Sequence, residues 1–219
     1  MNGDELRFLH HEALDYGLKL SRYQVDLFRF YIDELWDWNL RINLTGLSTR
    51  ERIVNELFLD SLIPAPFLPD KGTMLDVGSG AGFPGIPLKV YNPQFKTHLL
   101  EANSKKVSFL KQIIRLLGLK EIKAIKGRIE KDGDKLHPEG YHLITARALA
   151  GLDQTMAWCA PFLCPGGLLV IYLGNFTEED LRKSQQVMKS HRVILHMIAP
   201  YFLPGKKLRR NIFILKKES

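Results

Sequence analysis

The 219-residue chain is 45% apolar and 25% charged, a balance that supplies a full core and excludes disordered and fibrous classes. Its formal charge of +7 favours a polyanionic partner such as nucleic acid, although an ordinary basic protein carries the same charge. Two cysteines, Cys159 and Cys164, give neither a disulfide framework nor a metal-ligand spacing, and no metal is expected. The polar, acidic start is no signal peptide and no apolar run nears the ~18 residues of a membrane span, so a cytoplasmic, membrane-free protein is expected.

Residues 1–70 read as a helical extension. Ser21 and Gln24 fit a capping box, and Leu27, Phe30, Tyr31, Leu35 and Trp38 follow at helical spacing as a core stripe. Ser48 and Glu51 suggest a second capping box, with Ile53, Val54, Leu57 and Phe58 as the apolar stripe behind it. The run Pro64-Ala-Pro-Phe-Leu-Pro69-Asp-Lys-Gly72 marks a boundary, and residues 71–219 form the second expected domain. There, apolar strands at 73–77, 96–101, 121–126, 141–146 and 167–173 alternate with helices at 85–91, 104–117, 152–162 and 177–190. That alternation predicts an α/β fold with a parallel sheet covered by helices. The runs 192–199 and 211–216 have no helix between them and are expected to pair antiparallel at the sheet edge.

The most informative stretch is Met74-Leu-Asp-Val-Gly-Ser-Gly-Ala-Gly-Phe-Pro-Gly-Ile-Pro-Leu88. A strand ends in Gly78, Gly80 and Gly82, which allow sharp turning and close approach of a ligand to the backbone. A helix start follows, so the corner is nucleotide-binding in type. Glu101 ends the next strand, where a carboxylate meets ribose hydroxyls. Nicotinamide dinucleotides and S-adenosylmethionine share this layout. Counting from Gly78 puts Phe83 where a third glycine belongs, and Pro84 removes an N–H, so the pyrophosphate reading is the weaker. Asp76 either contacts the ligand's amino group, orders the loop or simply caps the turn.

These residues resemble the RsmG (glucose-inhibited division protein B) family of small-subunit ribosomal RNA methyltransferases. The resemblance rests on Asn43-Leu-Thr45, Leu59-Asp-Ser-Leu62, the glycine stretch 75–88, Glu101 with Lys105-Lys106 and Phe109-Leu110, Gly127-Arg-Ile-Glu130 and Thr145-Ala-Arg-Ala-Leu149. The pattern departs at Leu57 and at Asn211, where members often carry histidine. The resemblance implies a class I S-adenosylmethionine-dependent methyltransferase, a Rossmann-like domain whose seven-stranded sheet ends in an antiparallel hairpin. It implies methylation of N7 of one guanine, number 527, in 16S ribosomal RNA, with the RNA or the small subunit as partner and a monomeric enzyme. Carried over by position, Gly78, Phe83, Ile129, Glu130 and Arg147 would contact the methyl donor, with Glu101 on its ribose.

Guanine N7 attacks with a free lone pair, so no general base is required and no catalytic residue is assigned; alignment can supply the acceleration. Arg147 follows the fourth strand and is a candidate for positioning phosphate, guanine or the donor carboxylate, against a solvated arginine at a helix start. Glu130 either contacts adenine or caps a following helix. Ile129 and Phe83 are candidate adenine walls, Phe83 being equally suited to the core. Lys105 and Lys106 after the second strand, and Lys206, Lys207, Arg209 and Arg210 between the last two, form two basic groups for RNA phosphates. The rivals are a nicotinamide-dependent oxidoreductase, which lacks a hydride-site acid or base here, and a non-catalytic RNA-binding module.

Overall fold

The computed structural model describes residues 4–174 and 178–219. Helix α1 (Asp4–Asp15) and the long α2 (Arg22–Ile42) open the chain. Ser21 caps α2 as expected: its Oγ accepts from Gln24 N at 3.2 Å while Gln24 Oε1 accepts from Ser21 N at 2.8 Å. The Gln24 amide also donates to the Val90 and Tyr91 carbonyls, tying the start of α2 to the glycine-loop helix. The stripe on α2 is core at Leu27, Tyr31 and Leu35, with Trp38 partly buried against it, but Phe30 is 45% exposed beneath the Arg29 guanidinium. At about 100° per residue, Leu27, Phe28, Tyr31, Ile32 and Leu35 share one arc, and Phe30 falls roughly 130° from its centre.

The second capping site is corrected by one residue. Thr49, not Ser48, is the N-cap, its hydroxyl accepting from Arg52 N at 3.2 Å. Short α3 (Arg50–Ile53) widens into a π-helical turn (Val54–Leu59) and closes with α4 (Asp60–Leu62). Such turns change which side chains share a face. Here Val54, Phe58, Leu59 and Leu62 go to the core together with Asn55, Asp60 and Ser61.

The remaining elements are β1 (Gly72–Val77), α5 (Gly85–Tyr91), β2 (Phe95–Glu101), α6 (Ser104–Leu116), β3 (Ile122–Lys126), β4 (Tyr141–Arg147), α7 (Leu152–Cys159), β5 (Leu163–Leu173), α8 (Glu178–Ser190), β6 (Val193–Phe202) and β7 (Arg209–Lys217). Residue 177, the expected start of α8, lies outside the described residues, and the expected helix 152–162 ends in a 3₁₀ turn from Ala160. The seven strands lie in the order β3-β2-β1-β4-β5-β7-β6. All neighbours are parallel except β7, which runs antiparallel to both β5 and β6. The crossover direction reverses between β1 and β4, and the carboxyl ends of strands at such a switch point are where ligands bind in open α/β sheets.

The helical extension shares a core with one face of the sheet. Phe28, Tyr31 and Phe58 from the extension join Phe83, Phe109 and Ile113. Tyr31 stacks on Phe83 at 5.2 Å between centroids and 6° between planes, and Phe58 meets the Phe83 ring edge-on at 5.0 Å.

Candidate active site

The site is built where β1, β2 and β4 end. After Val77, residues 78–84 turn back over the strand ends, with φ of +71° at Gly78, +58° at Gly80 and +97° at Gly82, values that favour glycine. The Phe83–Pro84 peptide is cis. Most loop N–H groups are already engaged. Gly78 and Ser79 donate to Leu100 O, Gly80 to Glu101 Oε2 at 2.8 Å, and Gly82 and Phe83 to Ser79 O. A phosphate-binding loop aims several such donors at its ligand; this one does not.

Asp76 lies beneath the loop and is fully buried. Its Oδ2 accepts from Gly85 N at 3.1 Å and its Oδ1 from the Thr145 hydroxyl at 2.8 Å. Of the roles open to it, ordering the loop and the start of α5 is the one the geometry carries. Burial pushes its carboxyl up to about 6, against the pull of its donors from Thr145, Ser79 and Gly85. The glycines divide by task. A Cβ at Gly82 would overlap the Tyr31 hydroxyl and Ile86, and one at Gly85 would overlap Leu99 and Asp76. A Cβ at Gly80 would meet only Gly78 O at 3.9 Å, so that position opens outward.

Glu101 ends β2, 8% exposed, and its Oε1 accepts from Asn103 N at 2.7 Å while Oε2 holds the glycine loop. Each oxygen keeps a further acceptor direction. Asn103 caps α6 by accepting from Lys105 N and Lys106 N, which puts both expected lysines in the first helical turn. Ile129 is buried, and Glu130 is on a turn, 3.8 Å from Arg128. The next helix is the 3₁₀ turn Gly133–Lys135, whose N-cap position is Asp132 and not Glu130. Phe83 is 6% exposed and its ring packs on Tyr31 and Phe58, which is the core placement the sequence left open beside the adenine-wall role.

Arg147 ends β4 and is not at a helix start, since α7 begins only at Leu152 after the Gly151 cap. Its guanidinium turns to the helical extension. Nη2 donates to Glu56 O at 2.5 Å, and Nη1 lies 3.4 Å from Asp60 Oδ2 as an ion pair without a hydrogen bond. Asp60 is 1% exposed and also accepts from Tyr201 Oη at 2.6 Å and Arg210 Nη1 at 2.9 Å. Glu56 pairs with Arg52 at 2.8 Å and with Lys206 at 2.9 Å, and the Arg52 hydrogen bond first, then Lys206, hold its carboxyl down to about 2. Two of the four expected hairpin cations, Lys206 and Arg210, are therefore held by the extension, while Lys207 and Arg209 are exposed.

Sequence reasoning missed Asp60, Glu56 and Tyr201 as parts of this network. An aspartate inside the apolar run 57–63 was the available signal, because such a charge must find partners once buried. Asn211, at a departure from the family pattern, is buried and donates to Gly174 O at 3.3 Å. Among the described residues one trio of potential metal ligands, His11, Glu12 and Asp15, comes within 4.8 Å, on α1 and not at the strand ends.

The strand order, the switch point and the antiparallel β7 define a class I S-adenosylmethionine-dependent methyltransferase fold. A ribosomal protein L11 methylase from Lactobacillus delbrueckii subsp. bulgaricus superposes with a TM-score of 0.58 at 14% identity, over 79% of this chain and 81% of that one. TYW2 of M. jannaschii in complex with AdoMet gives 0.56 at 13%, over 72% and 71%. In sequence, the model of the family described as rRNA small subunit methyltransferase G matches residues 24–209. The ribosomal RNA small subunit methyltransferase G of Acetivibrio thermocellus is 36% identical over 94% of this chain and 85% of its own length. That of Alkaliphilus metalliredigens is 40% identical over 78% and 73%. The chain belongs to this rRNA small subunit methyltransferase G family.

Proposed function

We propose that the chain transfers a methyl group from S-adenosylmethionine to N7 of a guanine in 16S ribosomal RNA. The observation that carries the choice of donor is the state of the glycine loop. With the N–H groups of residues 78, 79, 80, 82 and 83 engaged inside the protein, the loop is no cradle for a diphosphate. Its outward position, Gly80, is free of side-chain neighbours, so a ligand can approach the backbone there. The lack of a diphosphate cradle weighs against the nicotinamide alternative.

The residues fit the donor as follows. Gly78, Gly80 and Gly82 let it lie against the backbone, Glu101 accepts from its ribose hydroxyls, Ile129 and Glu130 border the adenine, and Phe83 contributes main chain. S-adenosylmethionine brings an electrophilic methyl group on sulfur. Guanine N7 supplies its own lone pair, so the chain's task is alignment, worth up to roughly 7–11 kcal/mol in favourable cases. Arg147, fixed by Glu56 O and Asp60, is the candidate for positioning the acceptor.

The RNA reading draws on family membership and on charge placement. Lys105 and Lys106 occupy the first turn of α6, where the helix dipole disfavours cations, so their position serves something other than the helix. With Lys207 and Arg209 they offer four exposed or half-exposed cations to phosphates. We read the extension 1–70 and the domain 71–219 as one working unit, monomeric and cytoplasmic; none of the described helices is long and apolar enough to cross a membrane. The test is transfer of labelled methyl into small subunits, naked 16S RNA and tRNA. Incorporation into either of the first two and not into tRNA is expected, and none anywhere would refute the proposal.

A further inference from the structure

The glycine loop is held from below by a residue of the helical extension. Tyr31, fully buried on α2, donates its hydroxyl to Ala81 O at 2.5 Å. Across the same peptide unit, Gly82 N donates to Ser79 O at 2.7 Å. One plane is thus pinned at both ends, by a helix outside the sheet and by the loop itself. The neighbouring glycine is shaped to this contact: at a φ of +97°, a Cβ at Gly82 would overlap the Tyr31 hydroxyl. Glycine at 82 also leaves the 81–82 peptide free to rotate, because φ there meets little steric barrier.

We propose that Tyr31 is a positioning residue for the methyl-donor site, a latch that keeps the 81–82 peptide from flipping. The proposal rests on the reading of this loop as the donor site. Without the hydroxyl, the Ala81 carbonyl is buried and unsatisfied, and a buried acceptor in that state is driven to find another partner. Rotating the peptide turns this carbonyl out of the core and breaks the Gly82 bond to Ser79. The loop then leaves the shape that receives the donor. Tyr31 touches neither donor nor acceptor; it acts through Ala81.

The test uses the full chain, S-adenosylhomocysteine as an unreactive probe, and two variants. Tyr31→Phe keeps the ring stacked on Phe83 and removes only the oxygen. Phe58→Leu loosens the same aromatic cluster and leaves the hydroxyl in place. In Tyr31→Phe, the probe Kd and the KM for donor rise roughly tenfold, with kcat at saturating donor within about twofold of the parent. In Phe58→Leu, Tm falls while Kd stays within about twofold. Equal Kd in Tyr31→Phe and the parent, or a loss of affinity in Phe58→Leu that tracks its loss of Tm, overturns the latch. A parent chain that does not bind the probe overturns the donor-site reading and the latch with it. Hydrogen exchange gives an answer independent of either variant: the Gly82 amide of the parent is protected before probe is added. Free exchange there until the probe arrives overturns the latch.

Discussion

Asp76→Asn separates the carboxylate's charge from its shape. The group is fully buried, and burial raises its carboxyl from the ordinary 3.8 to about 6. Between those values the folded chain holds a proton that the unfolded chain has released, so the aspartate destabilises progressively as pH rises through the window. The window is about two pH units wide, and at about 1.4 kcal/mol per unit the parent loses about 3 kcal/mol relative to Asp76→Asn. Asparagine keeps an oxygen for Gly85 N, while the Thr145 hydroxyl can turn to accept from the new amide. For a chain of this size the difference corresponds to about 6–12 °C in Tm. The assay is a pair of urea titrations every half unit from pH 3.5 to 7.5. Other carboxylates titrate in both proteins and cancel. A flat difference would mean that the donors from Thr145, Ser79 and Gly85 offset the cost of burial, and one that favours the parent more as pH rises that they outweigh it.

Other consequences follow from the same geometry. Gly78→Val should abolish S-adenosylhomocysteine binding in a folded protein, measured by calorimetry; the position has a φ of +71° and its Cβ would meet Leu149 at 3.1 Å. Unchanged affinity would show that the donor does not lie against this turn. Asp60→Ala leaves the Tyr201 hydroxyl and the Arg210 and Arg147 guanidiniums without their shared carboxylate and should cost about 3–5 kcal/mol in urea titration. A loss below about 1 kcal/mol would contradict the network. Replacing Lys207 and Arg209 together by alanine should weaken binding of a 16S RNA fragment and lower the slope of log K against log salt by roughly 2, without lowering Tm. An unchanged slope would remove the hairpin from the RNA surface.

The sheet was legible because its strands and helices each obey one period, and the glycine stretch supplied the corner at which they meet. The edge hairpin could be read from two β-like runs with no helix between them. What escaped was set by contacts between distant segments. Phe83 is apolar beside a ligand loop, and only the packing of Tyr31 and Phe58 decides that its ring enters the core. Arg147 and Arg210 read as free cations because nothing local pairs them; Asp60, on the extension, does so. The shift of the second cap from Ser48 to Thr49 is of another kind, since adjacent hydroxyls are equally able to cap and local sequence does not choose between them.

The central claim, methyl transfer to guanine N7, is tested most directly by mass spectrometry of nucleosides from 16S RNA or small subunits incubated with the chain and S-adenosylmethionine. The account predicts one new product, 7-methylguanosine, absent when Gly78→Val replaces the parent. Methylation of a ring carbon, an exocyclic amine or a ribose would contradict it.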